Sequence, residues 1–325
     1  VRLLALVAVA ACSKAAPSGP LEIASEPVTF AVGSNQVPGT LVHPARAGRY
    51  RGIVLMAGSG PTDRDWNSPL VASRNGSGKL LAEALAKQGA VVLRFDKAGI
   101  AENKTPHAQV TLDTYRDEGR AALALLRART DVDPKRLFVA GHSEGGVHAL
   151  RVALAERDQI AGLVLLSSPG RRMADVLYGQ IGRQLPDDAA RAKLRTELDD
   201  FLAGQPPSQT LVAIGITPGA AALGRDLFAA DPAALIAQLT VPVFIYNGLH
   251  DVQVDPELDA KALAAAHPGA TLFLAPEADH VLKHETKTLA ELHDNALLTE
   301  ARYNAPDRDL DPATVRELYD WLAAR

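Results

Sequence analysis

Leu137-Phe138-Val139-Ala140-Gly141-His142-Ser143-Glu144-Gly145-Gly146 is the stretch that decides how the rest of the chain is read. Leu137 to Ala140 are consecutive apolar residues, the pattern of a strand buried on both faces. Gly-x-Ser-x-Gly follows, and then Val147, Leu150 and Leu154 recur at helical spacing. A strand that turns sharply into a helix, with a serine at the apex, is a nucleophile elbow. The turn is crowded, so Gly141 and Gly145 stand where a Cβ would clash, and the serine backbone is strained. The following helix aims its free N–H groups and positive dipole end at the serine, where an oxyanion would form. Taken alone, the five-residue pattern also fits a glycine-rich structural turn with an idle serine. The strand before it and the helix after it make Ser143 the candidate nucleophile.

Working outward, Val28 to Val32 and Thr40 to His43 flank a turn with Gly33-Ser34-Asn35 and Pro38-Gly39, an antiparallel pair at a sheet edge. Gly52 to Ala57 is a continuous apolar run, a second buried strand. A helix near Gly78 to Gln88, the strand Ala90 to Phe95 and a helix with Leu112, Tyr115, Gly119, Ala122 and Leu126 on one face lead to the central stretch. Beyond it, Ile160 to Ser167, Val241 to Asn247 and Thr271 to Ala275 read as strands, with helices near Pro256 to Ala266 and from Asp311-Pro312 to Leu322. Residues 171 to about 237 break the rhythm and offer amphipathic helices but no strand, so they are expected to form a mostly helical insertion. Strands alternating with helices predict an α/β fold with a mostly parallel sheet. Ligands in such sheets bind beyond the carboxyl ends of the strands.

Two more candidates lie at those ends. Asp251 follows the strand Val241 to Asn247, and His280 follows Thr271 to Ala275. A serine hydroxyl needs a base within reach, and the base needs an acid to fix its tautomer. Asp255 is a rival acid and His284 a rival base. The order Ser143, Asp251, His280, each after its own strand, resembles the α/β-hydrolase family of serine hydrolases, and the likeness runs from about residue 27 to 325.

That resemblance implies an eight-stranded sheet with a helical cap and an oxyanion hole built from the N–H groups of Glu144 and Ser59. Where the family usually has a histidine before Gly58, this chain has Ala57. It also implies a structural role for His142, which adjoins the serine and stands among possible pocket residues with Arg64 and Trp66. Arg64 is flanked by Asp63 and Asp65 and reads as a loop-locking ion pair or a substrate anchor; Trp66 lines the pocket or packs the loop. Asp96 is expected to brace loops near the site.

Composition narrows the function classes. The 325 residues are 47% hydrophobic and 22% charged, ordinary for a globular chain. The net charge of -4 and the lack of arginine-rich runs give no ground for a nucleic-acid partner. No Cys/His cluster has metal-ligand spacing, so neither metal nor cofactor is expected. The single cysteine, Cys12, excludes an intramolecular disulfide. It follows Arg2 and the apolar run Leu3 to Ala11, and Val9-Ala10-Ala11-Cys12 resembles the lipobox of bacterial lipoproteins. This implies a signal peptide over residues 1–11, a lipid anchor on Cys12, a tether over 12–24 and a hydrolase domain over 25–325 in the cell envelope; a cytoplasmic protein is the alternative. The expected activity is hydrolysis of a small-molecule ester, with a peptidase or amidase of the same fold, or an idle binding protein, as the alternatives.

Overall fold

The computed structural model describes residues 19–69, 74–293, 302–305 and 307–325. The segment read as a signal, Cys12 and the tether up to residue 18 lie outside the described residues. Eight strands form one sheet: β1 (Ile23–Val32), β2 (Asn35–Pro44), β3 (Tyr50–Met56), β4 (Ala90–Phe95), β5 (Val132–His142), β6 (Gly162–Leu166), β7 (Val243–Gly248) and β8 (Thr271–Ala275). Their order is β1-β2-β4-β3-β5-β6-β7-β8. The β1–β2 and β2–β4 pairs are antiparallel and all later pairs are parallel. This is the mostly parallel sheet expected, with the antiparallel pair at its edge.

The apolar run of β5 explains its central place. Ala140 lies opposite Leu55 of β3 and Val164 of β6. Leu137 and Val139 enter one core while Phe138 and Ala140 enter the other. Helices cover both cores. α1 (Ser77–Lys87) and the C-terminal helix Pro312–Ala323 supply Leu81, Leu85, Leu318 and Trp321 to the Phe138 side. α2 (Leu112–Ala128) and α3 (Gly145–Ala155) supply Leu123, Leu126 and Leu150 to the Val139 side. Each such fully buried aliphatic side chain contributes roughly 1.5–3 kcal/mol through lost water contact. Thr111 and Asp311 cap the starts of α2 and the C-terminal helix: the Thr111 side chain accepts the Thr114 N–H, and the Asp311 side chain accepts the Thr314 N–H.

Between β6 and β7 run α4 (Met173–Gly182), α5 (Asp188–Leu202), α6 (Gln209–Ala213), α7 (Ala221–Ala229) and α8 (Pro232–Ile236). The first four share a core of their own, with Leu194, Leu198, Phe201, Leu211 and Phe228, which rests on Leu112 and Val147 of the main layer. This is the helical cap. α8 joins the two layers: Ile236 belongs to the main core with Leu263 of α9 (Lys261–Ala266), while Leu235 packs against both cores.

Two boundaries shift. The Leu21 N–H donates to the Lys87 carbonyl and β1 begins at Ile23, so the folded domain starts inside the stretch read as tether. The helix expected from Pro256 begins with a wider π turn, Pro256–Ala260, before α9. Among the described residues, no helix is long and apolar enough to cross a membrane.

Candidate active site

The parallel strands place their carboxyl ends along one edge, and the cap closes over that edge. Ser143 sits there with a φ of +53°, a left-handed conformation that is uncommon outside glycine. The elbow's glycines have steric causes. A Cβ on Gly141 would strike the Gly145 carbonyl, and one on Gly145 would sit 2.5 Å from the carbonyl oxygen of Met56.

Asp251 and His280 come from loops that are tied together by backbone. The Leu249 and His250 N–H groups donate to the carbonyls of Ala275 and Ala278 at 2.8 and 3.0 Å. His280 Nδ1 then lies 2.9 Å from Asp251 Oδ2, with both residues buried. An ionised carboxylate only accepts, so in this contact Nδ1 is the donor. The Asp251 carboxylate takes three further donors: Asn247 Nδ2 at 3.2 Å, and the N–H groups of Gln253 and Val254 at 2.8 and 2.9 Å.

The rival residues are occupied elsewhere. Asp255 accepts the N–H groups of Glu257 and Leu258 and caps the π turn. His284 is half exposed beside Glu277 and Asp311, at 3.7 and 3.9 Å.

His142 joins the His280 loop to the end of β5. Its Nε2 donates to the His280 carbonyl at 2.8 Å, and its ring stacks on Trp66 with centroids 4.4 Å apart. Both rings are buried, and neither lines the cavity above Ser143, so Trp66 and His142 form a strut rather than a pocket wall. Arg64 is held within its loop: its guanidinium reaches Asp96 at 2.6 Å and also pairs with Glu102. Asp96 accepts the Arg64 backbone N–H as well, which makes it the expected loop brace. Asp65 pairs instead with Arg94, a contact that spacing along the chain gave no means of finding.

Burial, reinforced by the nearby His280, pushes the His142 pKa down to about 3. The unfolded chain would protonate it near about 6.5. Its contribution to stability is therefore full above that value and is lost as pH falls toward 3, by at most about 1.4 kcal/mol per pH unit. Glu118 acts with the opposite sign. Burial raises it to about 7 against hydrogen bonds from the Ala98 N–H and Asn103, so its contribution is present at low pH and lost as pH rises through 7. A His142→Asn variant is expected to lose stability less steeply than the parent between pH 6.5 and 4, as read by urea midpoints. Parallel curves would mean that folded His142 is already protonated there.

The cavity of about 860 Å³ has Ser59, Lys97, Tyr115, Ser143 and Glu144 on the sheet side. Met173, Val176, Leu177, Ile216, Leu223, Leu227 and Phe228 form an apolar wall on the cap side. Gly58 lies against the serine, and a Cβ there would be 3.1 Å from that of Ser143. Among the described residues, neither the Ser59 nor the Glu144 N–H donates to a protein acceptor. Two free backbone donors beside a strained serine are what an oxyanion hole requires.

Sequence reasoning missed the groups under this floor. Lys97 is buried, with its ammonium on the Gly58 carbonyl and 3.7 Å from Glu144. Glu144 also accepts from His148 Nε2 at 3.2 Å. Burial alone would raise the Glu144 carboxyl, but the Lys97 charge and the His148 hydrogen bond outweigh it and bring the pKa down to about 2. The available signal was position: Lys97 stands two residues beyond the carboxyl end of β4. Among the described residues no group of His, Cys, Asp and Glu is arranged to hold a metal.

Comparison with known proteins agrees with this architecture. Esterase EstD of Thermotoga maritima is 28% identical over 239 residues, a match that covers 71% of this chain and 54% of that protein. The chain thus spans about half the length of that curated relative. Among solved structures, Est1E from Butyrivibrio proteoclasticus with ferulic acid bound superposes with a TM-score of 0.60 at 17% identity, over 92% of this chain and 100% of that one. Proline iminopeptidase of Mycobacterium smegmatis reaches 0.57 at 17% identity, again over 92% of this chain and 100% of that one. At those identities the likeness concerns the fold. The model of the Alpha/beta hydrolase family matches residues 53–292, in agreement with the sheet order and the elbow, and the chain belongs to that family.

Proposed function

We propose that this chain is a serine hydrolase that cleaves carboxylic esters through an acyl-enzyme. The observation that carries the reading is the strained Ser143 at the cavity floor, flanked by the N–H groups of Ser59 and Glu144, which donate to no protein acceptor among the described residues. Ser143 Oγ attacks the ester carbonyl carbon while His280 Nε2 takes its proton. The carbonyl oxygen becomes an oxyanion held by the two N–H groups. Collapse breaks the bond to the alcohol oxygen, which leaves with the proton from His280. Water then attacks the acyl-enzyme with His280 again as base, releasing the acid and regenerating Ser143.

Two features favour an ester over a peptide. The cap wall is apolar and suits an acyl chain or a hydrophobic alcohol. Among the described residues, the two carboxylates lining the cavity, Asp63 and Glu144, are already engaged. Asp63 accepts the N–H groups of Asp65 and Asn67, and Glu144 is paired with Lys97, so neither is free for a peptide's amino terminus. The esterase name of the Thermotoga maritima relative points the same way.

The test is hydrolysis of p-nitrophenyl esters from acetate to palmitate, with fluorophosphonate labelling in parallel. Turnover with an optimum longer than acetate, and label on Ser143, are expected. Cleavage of amino-acid arylamides in preference to every ester would transfer the site to peptides. Absence of both turnover and label would remove the enzyme reading.

A further inference from the structure

We infer that Lys97 is the positioning residue of the oxyanion hole, with one buried ammonium setting both N–H donors; this rests on the ester-hydrolase reading above. The argument begins with a peptide plane. The Gly58 carbonyl and the Ser59 N–H belong to the same trans peptide unit, so they point in opposite directions, and fixing one fixes the other. Lys97 Nζ donates to the Gly58 oxygen. Thr62 Oγ1 donates to the Ser59 oxygen at 2.7 Å, so the carbonyls on both sides of Ser59 are held by side chains while the N–H between them is left for a ligand. A cation on the oxygen of an amide also draws electron density from its N–H, which strengthens that donor.

The same ammonium reaches the second donor. Glu144 supplies the other N–H from its backbone, and its carboxylate lies 3.7 Å from Lys97 Nζ. His148 holds that carboxylate from the α3 side at 3.2 Å. The Tyr115 ring closes the lysine pocket, 5.8 Å from Nζ. The arrangement therefore ties the loop after β3 to the elbow through one charge. The ammonium's contacts are the Gly58 oxygen and the Glu144 carboxylate, so it acts through the two backbone donors.

Lys97→Met keeps the aliphatic stem and removes the charge and donor. Its kcat on the best p-nitrophenyl ester is expected to fall about 10²-fold, the scale of losing one oxyanion donor, with KM nearly unchanged. Affinity for a trifluoromethyl ketone, whose serine adduct places an oxyanion in the hole, should fall by a similar factor. Methylammonium added to Lys97→Ala should restore part of kcat. Should Lys97→Met not fold, Glu144→Gln carries the test: it leaves the lysine on Gly58 but removes its second anchor, and about a tenfold loss of kcat at constant KM is expected.

Parent-like kcat in whichever variant folds would overturn the inference. So would a loss that appears in KM, or one that spares the ketone's affinity, because either would mean that Lys97 shapes the pocket only. A parent protein with no turnover and no label on Ser143 would instead overturn the ester-hydrolase reading, and this inference with it.

Discussion

Replacing Ser143 with alanine is expected to lower kcat by about 10⁶-fold, the scale set by removing the nucleophile from a serine triad. The size follows from the division of labour in the site. Without Oγ there is no acyl-enzyme, and the reaction must proceed by direct attack of water. The Ser59 and Glu144 N–H groups and the apolar cap wall would remain, so a residual acceleration of about 10³–10⁴ over water is expected from binding and oxyanion stabilisation. Alanine has no new clash to make at a φ of +53°, because serine already carries a Cβ there. The variant should therefore keep its thermal midpoint and its affinity for substrate. Single-turnover kinetics on protein free of parent contamination measures the effect. A loss smaller than about 10²-fold would exclude Ser143 as the nucleophile.

How legible the site was depended on how local its causes are. Leu137 to Gly146 could be read because strand burial, the serine and both close-packed glycines fall within one decapeptide. Asp251 and His280 could be placed because each follows a strand visible as an apolar run. Nearness to the strand end favoured Asp251 over Asp255, and the family pattern favoured His280 over His284; the capping bonds of Asp255 and the carboxylates around His284 are not visible in spacing. Trp66 illustrates the limit. A tryptophan in a charged loop suggests a pocket wall, yet it lies under the site against His142 and Gly78, because the loop folds inward. Lys97 was passed over for a related reason. A lysine normally reads as surface, and its burial is offset here by Glu144, Glu118 and the Gly58 carbonyl, which come from three separate segments.

Asp251→Asn should lower kcat by about 10⁴-fold while leaving the fold intact, and the hydrogen bonds around the side chain explain why. Oδ1 accepts from the N–H groups of Gln253 and Val254, both of which need an acceptor. In the variant the amide oxygen must stay with those two donors, which turns the NH₂ group toward His280 Nδ1. Nδ1 then becomes an acceptor, and the proton moves to Nε2, where it blocks receipt of the serine proton. The donating Nδ2 of Asn247 opposes the new NH₂ as well, and so weakens the hold on the ring. Two measurements check this: kcat for the ester, and the downfield proton resonance of His280 Nδ1–H, which should vanish. Asp255→Asn is the matched control. Asparagine caps a helix start about as well as aspartate, so this variant should retain nearly full activity. Near-parent activity in Asp251→Asn would remove Asp251 as the orienting acid, and a large loss in Asp255→Asn alone would transfer that role to Asp255.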